Sequence, residues 1–200
     1  MSLKRNSVKV LTYSAVLIAL ATVLSNVKLF DMPQGGTITA FSMVFVSLIG
    51  YFFGLRAGVV AAVAYGLLQV ALDPFVIHPI QFLLDYPLAF GALGLSGLFY
   101  KQKYGLVLGY IAGVLGRLFC STLSGIVFFP EYAEGGNVLI YSLIYNLSYM
   151  GPEAAITLLV LAIPPVKGAI DQVRAIATGA QSAKAQAQDG ENPQQGEADN

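Results

Sequence analysis

A chain of 200 residues with 56% hydrophobic and only 11% charged residues is not composed like a soluble domain, in which about a quarter of residues are charged. The formal net charge is zero, so nothing in the balance favours nucleic acid or a strongly anionic partner. One cysteine, Cys120, excludes an internal disulfide, and one histidine, His78, excludes a multi-histidine metal site.

A membrane-crossing helix needs about 20 mostly apolar residues, because a hydrocarbon core of ~30 Å is crossed at ~1.5 Å per residue. The first such run extends from Val8 to Leu29. It is too long for a signal-peptide core and lacks a small-residue cleavage site, so it reads as a mature first helix. The loop signals Pro33, Gly35 and Gly36 follow. A second run covers Ile38 to Phe53 and a third Val59 to Leu72, separated by Gly54, Arg56 and Gly58. Asp73-Pro74 ends the third. His78-Pro79 opens a fourth, Ile80 to Tyr100, which stops at Lys101-Gln-Lys103. The fifth covers Gly105 to Phe129, and the polar loop from Pro130 to Gly136 carries Glu131 and Glu134. The sixth runs from Val138 to Ile163 and ends at Pro164-Pro165. The expected fold is therefore an all-α integral membrane protein, a compact bundle of six transmembrane helices over residues 1–168. Residues 169–200 predict a disordered polar cytoplasmic tail, since residues 180–200 are rich in Gln, Ala, Asp, Glu and Gly with no aromatic.

Basic residues set the orientation. Lys4, Arg5 and Lys9, then Arg56, Lys101, Lys103, Lys167 and Arg174 mark one side, and the other loops hold only Lys28. The positive-inside rule puts both termini in the cytoplasm and the loops at 31–37, 73–79 and 130–137 outside. Small residues recur at helical spacing: Gly91, Gly94 and Gly97 on the fourth run, Gly105, Gly109 and Gly113 on the fifth, Ala15 and Ala19 on the first. Such faces allow close helix approach, either within the bundle or against a partner membrane protein.

Ionisable residues inside spans are costly and default to functional hypotheses. Asp85, Arg117 and Glu153 are the three. Counted from the basic ends of their helices, they lie about 24, 20 and 21 Å up at the helical rise. Arg117 and Glu153, level and opposite in sign, predict a structural ion pair. Asp85 lies further out. At its depth the sixth run brings Tyr141, Tyr145 and Asn146, the fifth Ser121, Ser124 and Phe129, and the fourth Gln81 and Tyr86, with Phe75 in the preceding loop. A carboxylate, amides and aromatic rings at one depth describe an outward pocket for a small, flat, cationic, hydrogen-bonding ligand. His78 reads as a loop histidine beside Pro79, with no serine placed to pair with it in catalysis. No G-x-x-x-x-G-K-[ST] loop binds nucleotide, and no repeat of broken helices signals a self-sufficient carrier.

Four stretches then carry a resemblance: Met32-Pro-Gln-Gly-Gly36, His78-Pro-Ile-Gln-Phe-Leu-Leu-Asp-Tyr86, Leu123-Ser-Gly-Ile-Val-Phe-Phe129 and Tyr141-Ser-Leu-Ile-Tyr-Asn146. Over residues 8–165 the chain resembles the thiamine-specific substrate-binding (S) components of energy-coupling-factor (ECF) vitamin transporters, the ThiT family. The resemblance implies a six-helix bundle in the cell membrane, not an enzyme and without a cofactor. Such a bundle binds thiamine from outside and delivers it with a transmembrane T component and two ATPases. It implies ligand contacts at Asp85, Tyr86, Ser121, Phe129, Tyr141, Asn146, Gln81 and Phe75, a lid at 32–36, and docking through Ala15 and Ala19. Asp85 stands where relatives usually have Glu, Ser121 where they often have His, and Phe129 where Trp can occur; this chain has no Trp at all. These departures keep a related ligand, such as a pyrimidine precursor of thiamine, as the alternative, with a self-sufficient secondary transporter beside it.

Overall fold

The computed structural model describes residues 2–31, 37–39 and 41–180. Helix α1, Ser2–Ser25, is followed by a two-stranded antiparallel hairpin, β1 (Lys28–Asp31) and β2 (Thr37–Thr39), with Phe30 opposite Ile38 and a bulge between Lys28 and Phe30. Helices α2 (Ser42–Phe53) and α3 (Leu55–Leu72) meet at Gly54, whose φ of 85° makes the sharp reversal that a side chain would strain. The composite helix α4 spans residues 79–98. It is α-helical over Pro79–Leu83, π-helical over Leu84–Leu88, α-helical over Ala89–Gly91 and 3-10 over Ala92–Leu98. Helix α5 is Gly105–Phe128. A 3-10 turn at Pro130–Ala133 leads to α6, Val138–Leu161, and α7, Pro164–Thr178, leaves it at 86°.

Two helix starts carry side-chain caps. Asn137 accepts from the Ile140 N–H at 3.1 Å at the head of α6, and His78 does the same for Ile80 at 3.1 Å at the head of α4, with Pro79 in the first turn. Helix α2 has no cap of its own: Phe41 sits in the left-handed region at φ 61° with no side-chain bond to the helix. Its free N–H groups find a partner from another helix, described below.

Several boundaries differ from expectation. The first apolar run extends to Leu29 in the sequence, yet α1 stops at Ser25, where Asn26 turns its side chain back onto the Thr22 carbonyl at 2.8 Å. The following Lys28-Leu-Phe continues the apolar run but pairs as a strand, and Ile38 lies in β2 rather than in α2. At the other end, helical order continues past residue 168 to Thr178 because Ile170 and Ala177 pack on the core. The expected disorder beyond residue 180 and the lid at 32–36 lie outside the described residues.

Among the described residues, α1, α3 and α5 are long and apolar enough to cross a bilayer, and α6 taken with α7 makes up to a fourth. This is fewer than the six spans expected, and the reason is chemical. Helix α2 has 12 residues, α4 is interrupted by its π turn, and α6 carries Asn146 and Glu153 turned inward.

Backbone contact between helices is the work of the glycines. Gly94 and Gly97 of the 3-10 segment lie directly against the Gly58–Val59 and Gly54–Leu55 backbones, and a Cβ on Gly58 would stand 2.6 Å from the Gly50 Cα. On the other side of α4, a Cβ on Gly109 would stand 2.7 Å from the Ser96 carbonyl oxygen and one on Gly113 3.0 Å from Leu93. Both glycine stripes are thus internal seams, with Tyr65, Tyr110, Ile49 and Leu93 fully buried around them. Ala15 and Ala19 differ: both are exposed on α1.

Overpacking the α4–α5 seam with Gly109→Val should cost about 1–3 kcal/mol. It should lower the thermal midpoint in detergent by several degrees, whereas Gly168→Ala, where an added Cβ meets nothing within 4 Å, should leave the midpoint unchanged or raised. Equal midpoints for the two variants would contradict the seam.

Candidate functional site

The π turn determines where Asp85 points. Pro87 has no N–H to give and its ring excludes a regular turn, so the Ala89 N–H reaches back five residues to the Leu84 carbonyl. The extra residue in that turn carries Asp85 and Tyr86 to the face of α4 that meets α5 and α6. The Asp85 carboxylate is then tied at one oxygen: Oδ2 accepts from Gln81 Nε2 at 2.6 Å and from Ser124 Oγ at 2.8 Å. No described residue donates to Oδ1.

Gln81 is fully buried and completely used. Its amide also donates to the Phe75 carbonyl at 3.1 Å, and its oxygen accepts from the Ile77 N–H at 3.2 Å. Tyr86 Oη accepts from the Phe75 N–H at 3.0 Å and donates to the Asp73 carbonyl at 3.3 Å. These two side chains staple the 73–78 loop to α4. They place the Phe75 ring in a stack on Phe129 (5.9 Å between centroids, 20° between planes), which stacks in turn on Tyr132 (6.0 Å, 22°).

Helix α6 closes the opposite wall. Gly125 leaves room for Ser142, whose Oγ donates to the Thr122 carbonyl at 2.9 Å. One turn on, Asn146 Nδ2 donates to the Ser142 carbonyl at 2.9 Å while its Oδ1 accepts from Tyr149 Oη at 2.7 Å. The Tyr141 and Tyr145 rings stack at 6.3 Å and 14°.

These walls enclose a cavity of about 240 Å³. All eight residues singled out as ligand contacts line it: Asp85, Tyr86, Gln81 and Phe75 from α4 and its loop, Ser121 and Phe129 from α5 and its end, Tyr141 and Asn146 from α6. Their parts differ. Gln81, Tyr86 and Asn146 are bonded to the protein's own groups and act as braces. Asp85 Oδ1 accepts from no described residue, and the stacked rings stand on the same wall. His78 is not on the wall; it caps α4 and stacks on Phe128 at 5.1 Å, the structural role its position beside Pro79 suggested.

The expected Arg117–Glu153 ion pair does not form. The two stand at similar depth on different helices, but depth counted along the chain carries no information about rotation around the helix axis. The Arg117 guanidinium lies 4.1 Å from the centroid of the Phe90 ring. Glu153 turns to the uncapped head of α2: Oε1 accepts from the Met43 N–H at 3.1 Å and Ser42 Oγ at 3.2 Å, and Oε2 from Thr39 Oγ1 at 2.8 Å. A buried carboxylate thereby satisfies a helix N-terminus whose dipole favours it, and fastens β2 to α6 in the same place. Both Arg117 and Glu153 line the cavity, a role the sequence reading missed. The sequence sign left unused was Thr39-x-x-Ser42, a polar pair ahead of an apolar helix with no capping residue at Phe41.

The electrostatics follow. Two wall carboxylates face one wall guanidinium, leaving one formal negative charge, and at the mouth Lys28 and Asp73 pair at 3.6 Å and cancel. In a medium of lower effective dielectric than water that residual charge favours a monovalent cation. No described group of His, Cys, Asp or Glu is arranged to hold a metal ion.

The chain is similar to proteins with a known role. A sequence profile of the family described as Thiamine transporter protein (Thia_YuaJ) matches residues 11–170. The thiamine transporter ThiT of Bacillus subtilis (strain 168) is 37% identical over 166 residues, covering 74% of this chain and 86% of that protein. A ThiT of Lacticaseibacillus paracasei is 34% identical over 111 residues, covering 46% of this chain and 55% of that one. Among solved structures, ThiT from Listeria monocytogenes superposes with a TM-score of 0.63 at 24% identity, over 78% of this chain and 94% of that one, which shows the shared fold. The chain belongs to the thiamine transporter protein family, whose members are membrane transporters and not enzymes.

Proposed function

We propose that this chain is the thiamine-binding S component of an ECF transporter, a six-span bundle in the cell membrane with both termini in the cytoplasm, and that the cavity beside Asp85 holds the vitamin. The observation that carries this reading is Asp85 itself: a carboxylate with Oδ2 saturated, Oδ1 open, and stacked rings beside it. Thiamine joins a flat aminopyrimidine to a positively charged thiazolium. Oδ1 accepts from the pyrimidine amino group or offsets the thiazolium charge, and Asp85 and Glu153 together outweigh Arg117 to leave the net negative field such a ligand requires. Phe129 and Tyr141 supply ring surfaces, and Ser121 adds a small polar wall. The six spans assign α2 and α4 to the membrane despite their short or broken form, because their polar groups turn inward. The basic residues Lys9, Lys101, Lys103 and Lys167 lie at the end remote from the cavity mouth, which supports an outward-facing site.

Delivery requires a partner. The face of α1 that carries Ala15 and Ala19 is unpacked, and Leu11, Val16, Leu20 and Val23 around it are exposed as well. Two small residues four apart within an exposed apolar helix let another membrane helix approach closely, and we assign this face to the T component.

Asp85→Ala removes a hydrogen bond to a charged acceptor, worth about 1.5–3 kcal/mol. Isothermal titration in detergent should therefore show thiamine bound roughly 10- to 100-fold more weakly. Unchanged affinity in that variant would remove Asp85 from the site. Ala15→Trp and Ala19→Trp should bind thiamine as the parent does yet abolish uptake in cells that supply the T component and ATPases. Normal uptake by both would place docking elsewhere.

A further inference from the structure

We propose that α7 is an interfacial strap: it ties the ends of α2 and α4 together at the pole opposite the cavity mouth and seats its outer apolar stripe in the phospholipid surface there. This inference is independent of the ligand and rests on four observations.

The first is direction. Helix α6 has 24 residues and is about 36 Å long. That length crosses a hydrocarbon core of ~30 Å unaided. Helix α7 then turns away by 86° at Pro164-Pro165, so a helix that follows a crossing at nearly a right angle runs along the membrane plane.

The second is the clamp on its inner side. Asp171 accepts from Tyr51 Oη of α2 at 2.9 Å. Arg174 donates to the Tyr100 carbonyl just beyond α4 and lays its guanidinium 4.1 Å from the Tyr51 ring centroid. Ile170 and Ala177 pack on the core beside these bonds. The orientation of α7 is therefore fixed by named contacts.

The third is what that fixed orientation leaves outside. Ala169, Val173 and Ile176, spaced four and three apart, form one exposed stripe, with Val173 at 42% and Ile176 at 49% accessibility. Lys167, Gln172 and Thr178 are exposed polar residues of the same helix, and Gly168 is bare. An apolar stripe beside a polar face is the pattern of a helix lying in a bilayer interface. Helix α7 also packs against the start of α1, where Val8 and Leu11 are themselves exposed in a protein whose family resides in the membrane.

The fourth is charge. At this pole the described ionised residues are Lys9, Arg56, Lys101, Lys103, Lys167 and Arg174, against Asp171 alone as an acid. Phospholipid phosphates complement that surface, and the occupant we assign is the lipid surface itself.

The absence of Trp from the chain makes the test direct, since a single introduced Trp is the only indole present. Full-length Val173→Trp and Gly168→Trp, each shown to be monodisperse by gel filtration, are placed in phospholipid vesicles with and without brominated acyl chains. Bromine near the headgroup boundary should lower the Val173→Trp emission about twofold or more while acrylamide quenches it weakly, and Gly168→Trp should show the opposite order. Ile176→Trp, on the same stripe, substitutes if Val173→Trp does not fold. Acrylamide access to the 173 or 176 indole equal to that at 168, with no bromine quenching, would overturn the proposal. So would a stripe indole that bromine leaves untouched and that becomes shielded only when another protein is added, because the occupant would then be protein.

Discussion

A carboxylate inside an apolar bundle is stable only if the protein supplies donors for it, and the donors around Asp85 organise much of this molecule. Gln81 and Ser124 fill one oxygen, and Gln81 spends its remaining bonds on the Phe75 carbonyl and the Ile77 N–H. The same amide therefore holds the charge in place and folds the 73–78 loop over α4. Through that loop Phe75 comes to lie on Phe129, and α4, α5 and the aromatic mouth become one unit. Were Asp85 tied at both oxygens it would be a structural residue. Held at one, it is oriented and still has an acceptor to offer.

This arrangement demands an irregular α4, and an irregular helix must be held by its neighbours. The π turn at Pro87 gives up regular bonding to turn Asp85 and Tyr86 inward. The compensation is found one turn further along, where α4 tightens into a 3-10 segment and its glycines let α2, α3 and α5 approach to backbone contact. Rigid packing at the pole away from the mouth thus supports an irregular, polar segment near it. Glu153 repeats the logic on the other wall: one buried carboxylate caps α2, whose own sequence lacks a cap, and fixes the hairpin strand beside the cavity.

Much of this was legible in the sequence. The runs that became α3, α5 and α6 were located within a few residues, because a long apolar stretch between Gly, Pro and charged punctuation has few alternatives. Seven of the eight named cavity residues, all but Phe75, followed from counting depth, since residues at one height on adjacent helices converge if they face inward. The failures have separate physical causes. Hydropathy does not distinguish an apolar strand from an apolar helix end, so β1 and β2 were absorbed into the first two spans. Depth says nothing about azimuth, so Arg117 and Glu153 were paired although one faces Phe90 and the other faces Thr39, Ser42 and Met43. Pro87 within an apolar run was the available sign of a broken helix. The polar composition beyond residue 168 hid Ile170 and Ala177, which pack α7 on the core.

The central claim is that the cavity beside Asp85 holds thiamine, and its most direct test is native mass spectrometry of the intact protein purified from cells grown with the vitamin. The account predicts one bound molecule with the mass of thiamine, retained through purification and released by denaturation. A different bound mass, such as that of the pyrimidine fragment alone, or protein that stays ligand-free after incubation with thiamine, would contradict it.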